Sequence, residues 1–151
     1  MIIPFGRKTF KSIREYPDTW AVGNADHEGK PMFVRFRLWL KEAVGHPEYP
    51  FQIGVATPLL SPNELGLATD DEAEVLYRIE DRLSEALTAN DDAIFALAIT
   101  TGGMREFVFY AKSWNPEELE AKVKALDSEG HELQFLMKED AGWSIFVEFT
   151  K

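Results

Sequence analysis

The chain has 151 residues, no cysteine, and 26 acidic against 16 basic side chains, for a net charge of −10. That length suits one domain with a core of its own, and the missing cysteines exclude a disulfide framework and a thiol nucleophile. Association with nucleic acid draws on clustered Lys and Arg, so the acid excess argues against DNA or RNA. It suits solubility or a basic protein partner instead.

Residues 1–8 carry no basic stretch followed by a long apolar run, so no signal peptide is expected. No run approaches the ~20 apolar residues of a bilayer span. The expectation is a cytoplasmic protein without membrane attachment, in which residues 1–17 form a loosely ordered lead-in. Segments 20–25 and 32–40 read as two strands around the turn-rich stretch Asp26 to Pro31. Period two puts Met32, Val34, Phe36, Leu38 and Leu40 on one face, toward the core. Phe33, Arg35, Arg37 and Trp39 share the other.

A strand is expected over 51–57, and 58–68 reads as a loop with two prolines. Thr69-Asp70-Asp71-Glu72 has capping-box spacing, and Val75, Leu76, Ile79, Leu83, Ala86 and Leu87 follow as one apolar helical stripe. Residues 93–100 are apolar at almost every position, which marks a strand buried on both faces. Gly102-Gly103 supplies a tight turn into a returning strand over 105–112. Asn115-Pro116-Glu117-Glu118 opens a second helix, with Leu119, Val123 and Leu126 on its buried side. Two more strands are expected over 131–137 and 144–149. The fold class is thus α+β, a largely antiparallel sheet with two amphipathic helices. From Phe51 onward the order matches a ferredoxin-like (split βαβ) core, with an N-terminal β-hairpin and a C-terminal strand added.

Chemistry is harder to find. His27, His46 and His131 are scattered, without metal-ligand spacing, and read as solvated or locally bonded. No serine sits in a nucleophile elbow, and Gly102-Gly103 lacks the lysine and helix of a phosphate loop. The pairs Asp70-Asp71, Asp91-Asp92 and Glu139-Asp140 fall where capping and turns explain them. No cofactor or metal is called for. One constellation stands out: Arg35 and Arg37 between Phe33 and Trp39, with Trp20 on the neighbouring strand. Arginines among aromatics bind carboxylates or phosphates, but they also cover aromatic surface and pair with nearby acids. A weaker group joins Arg105, Glu106 and Tyr110.

Several runs carry a resemblance. Trp20…Gly29-Lys30-Pro31-Met32-Phe33-Val34-Arg35, then Thr101-Gly102-Gly103-Met104-Arg105-Glu106-Phe107-Val108-Phe109-Tyr110, then Asp140…Trp143, resemble a bacterial family catalogued as domain of unknown function 695. The likeness spans residues 18–149 and implies a fold but no active site. Some members resemble a fusion to a second domain similar to the protein inhibitor of ribonuclease E. A single domain without that partner is expected here. Two function classes follow. One is a non-catalytic interaction or regulatory module, acting on a protein partner or as a homodimer. The alternative is an anionic-ligand site, or an enzyme, on one sheet face, lined by Arg35, Arg37, Trp20, Trp39 and Tyr110.

Overall fold

A computed structural model of the chain describes residues 9–151. Six strands are present: β1 (Trp20–His27), β2 (Lys30–Arg37), β3 (Phe51–Pro58), β4 (Ala93–Thr101), β5 (Met104–Ala111) and β6 (Gln134–Glu139). They form one sheet in the order β1-β2-β4-β5-β3-β6, and every neighbouring pair is antiparallel. The α-helices are α1 (Asp70–Leu87), α2 (Pro116–Lys124) and α3 (Ser144–Phe149). The α+β class read from the sequence is the one that forms. From Phe51 the chain runs strand, helix, strand, strand, helix, strand. No helix among the described residues is long and apolar enough to cross a membrane.

The sheet carries a core on each face. Leu76, Ile79, Leu83 and Leu87 of α1 and Val123 of α2 pack on Ile53, Val55, Phe95, Phe107 and Phe109. The opposite face buries Met32, Val34, Ile99, Val108 and Tyr110 under Ile13, Leu40, Trp143 and Phe146. Residues Ala93 to Thr100 of β4 are all buried, which is why nearly every position there is apolar. A register shift between Phe95 and Leu97 changes its alternation, so Ile94, Ala96, Leu97 and Ile99 all join the second core. The β4–β5 turn uses Gly102 and Gly103 at φ +57° and +78°, the left-handed pair a two-residue hairpin needs.

Two expectations are corrected. Of the expected lead-in, residues 1–8 lie outside the described part. Ile13 opens a 3-10 turn (Ile13–Glu15), Tyr16 follows it, and both are buried in the second core. The second strand stops at Arg37, and Leu38–Ala43 continues as 3-10 helix. Three-residue spacing puts Leu40 and Ala43 on one side of that helix, both fully buried. The C-terminal strand is instead α3. Asp140 accepts from the Ser144 amide and hydroxyl at 2.8 Å, and Phe146 is buried against Trp143. A short apolar run without polar alternation fits either state, and the cap decides it.

The loop between β3 and α1 is held to the hairpin by the Gly103 amide, which donates to the Gly66 carbonyl at 2.9 Å. Gly66 has φ +76°, and a Cβ there would stand 3.1 Å from the Gly103 nitrogen. Gly66→Ala is therefore expected to cost ~1–3 kcal/mol, read as a lower urea midpoint. An unchanged midpoint would show that the loop is not locked to the hairpin.

Candidate functional site

A cleft of about 340 Å³ opens where the β1–β2 edge meets the C-terminal half of α1. Trp20, Arg35 and Arg37 line it from the sheet, Glu80, Asp81 and Ser84 from α1, Thr88 from the cap of that helix, and Asp18 and Asp91 from the flanking turns. Trp20 and Arg37 are cross-strand partners, and two-residue alternation puts Arg35 on their face. The sheet thus delivers these three side chains together by register alone.

Each is held differently. The Arg35 guanidinium lies 4.8 Å from the centre of the Trp20 ring and 5.3 Å from that of Tyr77, and it pairs with Glu80. It forms a fixed wall. Trp20 donates its Nε1 hydrogen to Asp18 at 2.8 Å and packs on Phe95 at 5.0 Å. Arg37 donates from Nη2 to the Tyr16 carbonyl at 3.2 Å, while its Nε is buried with no hydrogen-bond partner. That same Nε stands 3.5 Å from Asp18 Oδ1, an ion pair without hydrogen-bond geometry, with 76% of the Asp18 side chain exposed. Burial lowers the Arg37 pKa from its ordinary value, and Asp18 works against that shift.

Two of the five expected lining residues are elsewhere. Trp39 sits in the 3-10 segment that replaces the strand end, 40% exposed and outside the cleft. Tyr110 lies on the opposite face of the sheet, stacked on Trp143 at 4.4 Å and donating to Asp140 at 2.9 Å. Burial and the Asp140 carboxylate push the Tyr110 hydroxyl pKa far up, so the phenol stays neutral and structural. Among the described residues no group of three or more His, Cys, Asp or Glu side chains is placed to hold a metal ion.

The family model described as a family of unknown function, DUF695, matches residues 18–150. The chain belongs to DUF695. Comparison with curated proteins and with solved structures gives no match.

The DUF695 chain also places polar groups under α1 that pattern reading passed over. Glu72 and Glu80 are both buried, at four-residue spacing with Leu76 between them. Carboxylates on the apolar stripe were the available signal. Burial raises the Glu80 pKa, and Arg35 opposes that rise. Glu72 does not close the capping box, although Thr69 accepts from its amide at 3.4 Å. Its carboxylate turns inward and accepts from the amides of Leu60 (2.6 Å) and Ser61 (2.9 Å) and from His131 (2.7 Å). His46 and His131, expected as solvated or locally bonded, are both buried. His46 does bond locally, its Nδ1 accepting from the Glu48 amide at 3.2 Å, and its Nε2 meets the Lys11 carbonyl at 2.8 Å; His131 pairs across 59 residues of chain. Arg105 is buried too, donating to Thr100 at 2.8 Å beside the same helix.

Proposed function

We propose that this DUF695 domain binds a small anionic molecule, a carboxylate or phosphate, in the cleft between β2 and α1. The observation that carries this reading is the Arg37 Nε–H, buried at the cleft wall without a hydrogen-bond partner. Buried donors that lack hydrogen-bond partners are uncommon and costly, and a guanidinium bonds most strongly to an anion. A ligand oxygen accepting from Nε would displace the exposed Asp18 carboxylate; Arg35 is already paired with Glu80, so Arg37 is the cation left to meet the anion. The volume lies at the small end of ligand sites. The proposed role is binding rather than turnover.

The competing reading, a protein-interaction module or homodimer, rests on the free outer edges of β1 and β6, which every open sheet has. The test is a thermal-shift screen of carboxylates and phosphates, with each hit repeated on Arg37→Ala. Loss of one charge-assisted hydrogen bond should weaken binding by about 10- to 150-fold. Hits that survive the substitution unchanged, or a library without hits, would overturn the proposal.

A further inference from the structure

The Arg37 cleft has walls of unlike charge. Two arginines and four carboxylates line it: Arg35 and Arg37 against Asp18, Glu80, Asp81 and Asp91. Three of the acids are matched. Glu80 pairs with Arg35, Asp91 with Arg14 from outside the cleft, and Asp18 with Arg37. Asp81 makes no hydrogen bond and no ion pair among the described residues. It stands exposed on α1, one turn before Ser84.

The helix reinforces that sign. Its C-terminal end, at Ser84 and the Thr88 cap, opens on the cleft, and its last turn carries no basic residue. A helix C-terminus bears partial negative charge and favours a cation. The sheet wall is the opposite pole, where Arg37 Nε faces Asp18, itself a lining residue. A bare anion seated on Arg37 would release Asp18 and leave two carboxylates, Asp18 and Asp81, unpaired beside its own charge. Coulomb repulsion then works against the bond that Arg37 supplies. A ligand that carries its own cation removes that repulsion.

Resting on the anion-binding reading above, we infer that the ligand is a zwitterion, an amino acid. Its carboxylate accepts from Arg37 Nε, and its ammonium lies against the α1 wall beside Asp81, with Ser84 Oγ as a further acceptor. Ala93, Ile94 and Phe95 supply apolar lining for its carbon skeleton. Phosphate, which brings more negative charge and no cation, is disfavoured by the same balance.

The test follows the Arg37 Nε–H resonance of the full chain during titration with pentanoate and with 2-, 4- and 5-aminopentanoate, which share its carbon skeleton. At least one amino acid should bind about 3- to 10-fold more tightly than pentanoate, the scale of an exposed ion pair added to a helix end. In Asp81→Asn that advantage should shrink from both sides, because pentanoate loses a repelling neighbour and the amino acid an attracting one. Asp81 is exposed and bonds to no neighbour, so the variant keeps the fold. Pentanoate binding as tightly as every amino acid would overturn the inference while leaving the anion site intact. So would an advantage undiminished in Asp81→Asn. An Arg37 signal that no compound moves would overturn the anion site itself, and the inference with it.

Discussion

Trp143→Ala is expected to destabilise the domain by ~3–5 kcal/mol, a large share of the ~5–15 kcal/mol that holds a domain together. Trp143 has no exposed surface. Its ring stacks on Tyr110 at 4.4 Å with planes 8° apart and meets Phe146 edge-on at 5.9 Å. Its Nε1 donates to the Tyr49 carbonyl at 2.9 Å, tying α3 to the chain just before β3. Truncation leaves a cavity, strips one face of Tyr110 and orphans the Tyr49 carbonyl. Urea unfolding checks this directly. A loss under ~1 kcal/mol would mean that the α3 side of the sheet contributes little to the core.

Glu72→Gln is the second large effect, at ~3–5 kcal/mol, because it breaks a buried pair from one side. The carboxylate serves the Leu60 and Ser61 amides through both oxygens, and His131 through one of them. A glutamine offers one acceptor oxygen, so at least one amide loses its partner. The pH dependence gives a second readout. Burial raises the Glu72 pKa, but the two amides and His131 outweigh that and hold it below its ordinary value of 4.5. A group depressed on folding stabilises fully above its unfolded pKa, and that contribution fades as pH falls through the folded value. The native chain should therefore lose stability below about pH 4.5, and more steeply than Glu72→Gln. Glu80 and Glu106, raised by burial, act in the opposite sense, so the difference between the two proteins isolates Glu72. Parallel pH profiles would contradict its role as the tie between the 58–68 loop, α1 and His131.

What was legible in the sequence follows the range of the interactions. Local signals worked: Thr69 caps α1, Gly102-Gly103 turns the hairpin, and the unbroken apolar run of β4 is central in the sheet. Alternation along β2 correctly put Arg35 and Arg37 on one face, and Trp20 joined them through the β1–β2 register. Trp39 was lost because a 3-10 turn breaks the alternation one residue before it. Tyr110 was misplaced because its own strand's parity, opposite to Phe107 and Phe109, was not carried across the sheet to the arginine face. The buried Glu80–Arg35 and Glu72–His131 pairs join residues 45 and 59 positions apart, and no local pattern encodes such a meeting. Only the carboxylates on α1's apolar stripe hinted at them.

The central claim concerns one hydrogen, so the most direct measurement is the Arg37 Nε–H resonance in the ¹⁵N spectrum, followed during titration with inorganic phosphate and simple carboxylates. Arg78 provides the internal control, since its Nε already donates to Glu129 at 3.0 Å outside the cleft. The account predicts that at least one anion moves the Arg37 signal to saturation and leaves Arg78 in place. An Arg37 resonance that stays still for every anion, or drifts in step with Arg78, would contradict it.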